Sequence, residues 1–315
     1  MTIKQNPQVC ICMATFNGAK YIEEQLISFQ NQTMNSWELI ISDDGSTDNT
    51  LEILNNYAEN QNLHVVRVSN GPQQGFAANF LSILMHYEGS AQYFAFSDQD
   101  DIWFVDKLER ALKKLSNVSS DIPALYCSRT EFVNEKGEPF IPPKYSKKFS
   151  IKPSFENSLV QCLAGGNTMV FNRSAFDLIT KANLVEAVPS HDWWLYQLIS
   201  GCGGEIFYDP QPSVYYRQHS NNLIGSNTSL HAKLHRLKLF FNGFFATNNE
   251  VNLRNLTHNR NLLKLSSRSS LMNYSKACFH KRSLTRLYYY FVSKVRRQSF
   301  IENIILGIGI LIKKI

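Results

Sequence analysis

Short apolar strands alternate with amphipathic helices over roughly the first 115 residues, and this alternation constrains the fold more than any other feature. Residues 9–14 (VCICMA) read as a buried strand. Tyr21, Ile22, Leu26 and Phe29 then fall near helical spacing within 19–30. Residues 37–42 (WELIIS) form a second strand and run into Asp43-Asp44-Gly45-Ser46. Asp48 is placed to cap a helix carrying Leu51, Ile53, Leu54 and Tyr57. A third strand is expected over 63–68, a helix over 76–87, a fourth strand over 93–97 and a helix over 105–115. Repeated β-α-β-α of this kind predicts a mostly parallel sheet with helices on both faces. Ligands in such sheets bind beyond the carboxyl ends of the strands. Three segments should therefore meet on one edge: Thr15-Phe16-Asn17, Asp43-Asp44-Gly45-Ser46 and Asp98-Gln99-Asp100-Asp101.

The rest of the composition narrows the class. The chain's 315 residues, 43% of them apolar, suit one large domain or two ordinary ones with a sizeable core. No apolar run reaches about 18 residues, which argues against a conventional membrane-spanning helix. The start, MTIKQNPQV, lacks the apolar core of a secretory signal. Six scattered cysteines without an export signal suggest a reducing, cytosolic setting. Cys10 and Cys12 make a C-x-C, but within VCICMA they read as buried strand thiols rather than metal ligands.

Charge divides the chain. Residues 1–230 carry 16 Lys+Arg against 24 Asp+Glu, whereas residues 231–315 carry 16 Lys+Arg against Glu250 and Glu302 alone. A boundary is expected at 225–230, giving a domain over 1–228 and a basic helical region over 229–315. That region interleaves cations with large apolar groups, as in KLHRLKLFFNGFF, RSLTRLYYYFVSKVRR and FIENIILGIGILIKKI. It reads as basic amphipathic helices suited to an anionic membrane surface. The alternative is a helical appendage packed on the main domain with its cations solvated. No nucleic-acid-binding signature is present, and nucleic acid is not an expected partner.

Asp98, Asp100 and Asp101 repel one another, and a strand end does not gather them for stability. A hard divalent cation, magnesium or manganese, resolves the repulsion, with one or two carboxylates and substrate phosphates as ligands. The competing reading is an acidic loop that caps the helix beginning near Asp106. The first strand runs into ATFNGAKY, so the dinucleotide fingerprint G-x-G-x-x-G is missing. No phosphate-binding G-x-x-x-x-G-K-[ST] is present, nor the G-x-G-x-R loop of sugar nucleotidyltransferases.

M-A-T-F-N, S-D-D-G-S-T-D and F-S-D-Q-D-D-I-W, in that order, resemble the inverting family 2 glycosyltransferases of GT-A fold. The likeness is nearest to rhamnosyltransferase-like bacterial members that build O-antigen and capsule. Further matches are A-G-G-N-T-M-V-F-N-R at 164–173, H-D-W-W at 191–194 and Y-R-Q-H-S-N-N at 216–222. The resemblance covers about residues 8–225. It implies a Rossmann-like, mostly parallel sheet flanked by helices, followed here by the basic helical region.

The resemblance also implies roles. Asp44 would accept from the imide N–H of a uracil or thymine ring, and Asp43 would support the loop or the ribose. A plain turn and helix cap is the alternative for both. Ala14, Thr15 and Asn17 would line the same donor pocket. Asp98 would face ribose or metal, Asp100 would bind the metal, His219 would be a second ligand or diphosphate contact, and Asp101 would order the loop. Asp192 would be the general base; a helix N-cap is the alternative, and the two roles can hold together. Many relatives carry Glu-Asp where this chain has His191-Asp192, so His191 is open between tuning the base, contacting acceptor and packing. Trp193 and Trp194 are candidates for sugar stacking or for the helix core. Gly166 would let backbone approach the donor sugar or simply serve a turn, and Arg217 would hold phosphate or be an ordinary surface cation.

The implied function is metal-dependent, inverting transfer of a sugar from a nucleoside diphosphate donor to a lipid-linked or growing glycan. It would take place at the cytoplasmic face of the plasma membrane, with the protein peripheral to it. The expected donor is dTDP-L-rhamnose; UDP-galactose, UDP-N-acetylgalactosamine and UDP-glucose stay open. A non-catalytic membrane- or glycan-binding module on the same fold is the competing class.

Overall fold

The computed structural model describes residues 7–61, 64–141, 152–219 and 242–315. Four parallel strands lie where the periodicity places them: β1 (Val9–Thr15), β2 (Trp37–Asp43), β3 (Val66–Asn70) and β4 (Tyr93–Ser97). The third starts three residues later than expected. The ladders pair Thr15 with Asp43 and Met13 with Ser97, so the acidic segments leave the sheet almost flush.

Beyond β4 the sheet is mixed. It continues with β5 (Ile102–Trp103), β6 (Ala124–Val133), β7 (Val170–Asn172) and β8 (Glu205–Arg217) in the order β3-β2-β1-β4-β7-β6-β8-β5. β7 is antiparallel to both β4 and β6, β5 is antiparallel to β8, and β6 runs parallel to β8. The expectation of a mostly parallel sheet therefore holds for β1–β4, and antiparallel pairs enter after them. This matters for the site: an antiparallel β7 begins where β4 ends, so Gly165–Thr168 arrives beside Asp98.

Side chains of β1 alternate between two cores, as a period of two requires. Val9, Ile11 and Met13 join Phe29, Trp37, Leu54 and Leu108 on one face. That face is covered by α1 (Ile22–Gln30), α2 (Thr50–Glu59) and α4 (Lys107–Leu115). Cys10 and Cys12 join Phe80, Phe94, Phe96 and Phe171 on the other. Their sulfurs lie 3.7 Å apart, both fully buried, and burial pushes the Cys10 thiol well above its ordinary value. Here α3 (Phe76–Met85), the short α5 (Phe155–Ser158), α6 (Arg173–Lys181) and α7 (His191–Gly201) provide the cover.

The C-terminal region is helical, with α8 (Phe244–His258), α9 (Leu265–Phe279), α10 (Ser283–Ser293) and α11 (Phe300–Leu311). Its buried faces are continuous with the second core: Leu253, Leu256, Tyr274 and Ile310 belong to the cluster that holds Phe155 and Leu198. Asn255 reinforces the junction, accepting from the Val185 amide at 2.8 Å and donating to the Glu186 carbonyl at 3.0 Å. The expected boundary at 225–230, and most of KLHRLKLFFNGFF, lie outside the described residues. Among the described residues, no helix is long and apolar enough to cross a membrane.

Candidate active site

The end of β1 and the end of β2 build one wall. Asp43 is buried, and its carboxylate accepts from the Thr15 hydroxyl at 2.7 Å, the Gly45 amide at 3.1 Å, the Ser46 amide at 2.7 Å and the Ser46 hydroxyl at 2.6 Å. It is the pin of its own turn, and Gly45 adopts a positive φ of 94° to complete it. Asp44 points elsewhere. It accepts from the Gln73 amide at 2.6 Å and the Gly75 amide at 3.0 Å, tying β2 to the loop after β3. Asn17, at φ 48°, accepts from the Thr47 amide at 2.8 Å, while Ala14 sits half-buried opposite Ser42.

The end of β4 supplies the acidic floor. Asp98 and Asp100 are partly exposed, whereas Asp101 is fully buried. Burial, then the charges of Asp100 and Asp192, push the Asp98 carboxyl up to about 7, against the pull of Lys107. Burial also raises Asp101, again reinforced by Asp100 and Asp98, while Asn167 donates to it at 2.6 Å. Asp100 Oδ2 meets His219 Nε2 at 2.7 Å, and the imidazole stacks on Tyr21 with ring centroids 4.9 Å apart. Asp98, Asp100, Asp192 and His219 therefore converge on one sheet edge.

Gly165–Thr168 and the first turn of α7 close the opposite wall. Asp192 accepts from the Gly166 amide at 3.0 Å, the Trp193 amide at 2.6 Å and the Ser190 hydroxyl. A Cβ on Gly166 would lie 2.7 Å from His191 Nε2, so the absence of a side chain there is a steric requirement. His191 is buried between Phe80, at 4.0 Å between centroids, and the edge of Phe96. Burial draws its imidazole down to about 4, against the charge of Asp192. Neither ring nitrogen has a hydrogen-bond partner among the described residues.

Two candidates from the sequence are placed differently. Arg217 is fully buried, and its guanidinium donates to the Asp100 carbonyl at 3.0 Å, the Glu135 carbonyl at 2.8 Å and Glu24 at 2.7 Å. It braces the acidic loop from behind instead of facing a phosphate or bulk solvent. Trp194 is fully buried in the core, where no sugar reaches it; Trp193 is half-buried and donates its indole N–H to the Ser158 carbonyl at 2.6 Å.

Other contributors have roles that the sequence does not assign. Lys107 reads as a surface cation on α4, yet it is fully buried. It lies 3.5 Å from the Trp103 ring centroid and donates to the Asn167 carbonyl at 2.5 Å. Burial draws its ammonium well down, while Asp101 and Asp98 favour the charged form. Gln99 fixes the loop after β1 by a reciprocal pair of bonds to Phe16, each 2.9 Å. Gln99 and Asn167 lie inside segments already singled out, D-Q-D-D and A-G-G-N, and could have been read from their neighbourhood.

Among the described residues, no group of three His, Cys, Asp or Glu side chains is arranged to hold a metal ion. The donor chemistry nonetheless fits a hard cation. Burial first, and then the charges of Asp100 and Asp192, hold the Asp98 carboxyl up at about 7, and a cation relieves the repulsive part of that shift. Asp100 and His219 lie together at the edge, able to supply one oxygen and one nitrogen ligand.

The family model described as Glycosyl transferase family 2 matches residues 10–179. The chain belongs to this family. It is 30% identical over 245 residues to dTDP-rhamnosyl transferase RfbG of Shigella flexneri, spanning 74% of this chain and 80% of that protein. A shorter match, 37% over 108 residues, joins it to the putative teichuronic acid biosynthesis glycosyltransferase TuaG of Bacillus subtilis, covering 34% of this chain and 41% of that one. Among solved structures, S. aureus TarS 1–349 superposes with a TM-score of 0.56 at 16% identity, over 98% of this chain and 80% of that one. The mannosyltransferase PcManGT of Pyrobaculum calidifontis, solved with GDP-Man and Mn2+, gives 0.53 at 16% identity over 98% and 86%. At such identities the superpositions establish the GT-A fold alone. The family match and the likeness to RfbG make the chain a glycosyltransferase that uses a nucleotide sugar.

Proposed function

We propose that this family 2 glycosyltransferase transfers its sugar with inversion, using Asp192 as the base and a divalent cation held by Asp100 and His219. The observation that carries the reading is the convergence of Asp98, Asp100 and Asp192 at one strand-end edge, close enough for the two other charges to raise Asp98.

The acceptor hydroxyl approaches the anomeric carbon from the side of α7. Asp192 takes its proton as the new C–O bond forms, and the bond to the diphosphate oxygen breaks with its electron pair leaving on the diphosphate. Bonds from Gly166, Ser190 and Trp193 hold the carboxylate's orientation without protonating it. When bound, the cation supplies electrostatic stabilisation of the leaving diphosphate. Asp44, already holding the loop after β3, would also accept from the nucleotide base, and Thr15 and Ala14 would line the same pocket largely through backbone. Asp43, committed to its turn, shapes the loop. His191 and Trp193 border the acceptor side.

The likeness to RfbG favours dTDP-L-rhamnose, and a UDP-hexose is the second reading, supported by the solved complex of TarS with UDP-GlcNAc. The acceptor we infer is a lipid-linked glycan of bacterial surface polysaccharide, O-antigen or capsule. The basic C-terminal helices would hold the protein at the inner face of the plasma membrane.

The test is a donor panel run with wild type and Asp192→Asn, with and without manganese. The wild type should transfer sugar from dTDP-rhamnose, and chelation should abolish transfer. The variant should lose about 100-fold to 10,000-fold in kcat while keeping the nucleotide-induced rise in melting temperature. Near-normal transfer by the variant would move the base elsewhere.

A further inference from the structure

We infer that α10 and α11 form a monotopic docking face for an anionic lipid bilayer. The inference rests on the membrane reading above and assigns it to a particular surface. Leu284, Tyr288 and Phe291 recur at helical spacing along α10, and all three are more than 60% exposed. Ile301, Ile305 and Ile308 repeat that spacing on α11 and are each at least half exposed. The opposite sides of the same helices are inward: Tyr290 and Ile310 are buried in the core, and Arg286 joins the two helices by donating to the Ile310 carbonyl at 2.8 Å. Apolar stripes are thus held outward by a fixed internal packing, a large exposed apolar surface of the kind that marks an interaction site.

Charge selects the occupant. Residues 281–315 hold eight Lys+Arg and a single carboxylate, Glu302. Lys281, Arg282, Lys294, Arg296 and Lys313 are exposed, and none makes an ion pair among the described residues. A cleft of about 600 Å³ is lined by Phe291 and Tyr290 together with Lys294, Arg296 and Glu156. Cations flanking an apolar stripe suit a phospholipid surface, where the stripe enters the acyl boundary and the cations meet phosphates. A second copy of the chain would bring like-charged rims together.

The face is coupled to the catalytic side. The segment linking α10 to α11 grips the residues around α5: Asn157 donates to the Arg296 carbonyl at 2.9 Å, and Arg297 donates to the Val160 carbonyl at 2.6 Å. Ser158, in the same helix, accepts the indole of Trp193, next to Asp192. A glycan carried on a membrane lipid would thereby be presented near the base.

Vesicle flotation of the full chain tests this with no donor or acceptor present. Wild type should float with phosphatidylcholine–phosphatidylglycerol vesicles at low salt and stay behind with phosphatidylcholine alone. Lys294→Gln with Arg296→Gln should weaken partitioning about 25-fold, at about fivefold per cation. Leu284→Ser with Ile305→Ser should weaken it by about tenfold or more while the melting temperature holds, because both sites are exposed. Wild type that fails to float overturns the inference, as does equal binding to both vesicle types. A concentration-dependent dimer abolished by Leu284→Ser with Ile305→Ser would give the face to a second copy, and also overturns it. Melting shifts with dTDP and manganese report the donor site separately, so loss of one reading is distinguishable from loss of the other.

Discussion

Two neighbouring residues show what a family motif leaves unsaid. His191 precedes Asp192, and its buried, neutral ring fills the space that Gly166 leaves open. Gly166→Ala should force His191 out of place, costing about 1–3 kcal/mol through overpacking and lowering transfer. Adding His191→Ala should recover much of the stability; an additive double mutant would contradict the steric account. The same burial has a pH signature. Folded His191 titrates near 4 against about 6.5 in the unfolded chain, so the unfolded state binds the extra proton first. This term destabilises the fold as pH falls from about 6.5 to about 4, by about 3 kcal/mol in total, and levels off below. Denaturant titrations of wild type and His191→Gln should diverge in slope across that window, and parallel curves would refute the assignment. Asp98 and Asp101, raised by burial, act in the opposite sense in both proteins and cancel in the comparison.

Elements explain which parts of the site were legible in the sequence. Asp44, Asp98 and Asp100 could be placed because strand periodicity is local and parallel strands end on a common edge. Asp192 and His219 depended on the family resemblance. Lys107 and Arg217 were hidden because nonlocal pairing decides their burial: α4 packs under the sheet, and β8 ends behind the acidic loop. The antiparallel β7 was hidden for the same reason, since three residues carry no directional signal. Arg217 makes this concrete. Its planar fork spans Asp100, Glu135 and Glu24, and one ammonium cannot reproduce three divergent bonds. Arg217→Lys should therefore cost about 2–3 kcal/mol in a denaturant midpoint and blunt the metal-dependent protection by nucleotide. A variant with wild-type stability and wild-type protection would remove the bracing role.

At the scale of the molecule, the basic C-terminal helices share a core with the catalytic half, although the two parts differ in the sign of their charge. Net charge reports on solvated side chains, whereas cohesion depends on the apolar groups hidden between them. Leu253, Leu256, Leu263 and Tyr274 are each at most 4% exposed and share one core with Phe155 and Leu198. Fully burying such side chains contributes about 1.5–3 kcal/mol apiece, so these four alone supply about 6–12 kcal/mol. A whole domain is commonly stable by only about 5–15 kcal/mol. A chain truncated after residue 241 should therefore not survive as an independent catalytic domain. It should be insoluble, or bind a hydrophobic dye and melt without a cooperative transition. A soluble truncated protein with a sharp transition and nucleotide protection would mean that the shared core is dispensable. For the same reason truncation cannot isolate membrane binding, because it removes the docking face and part of the core together.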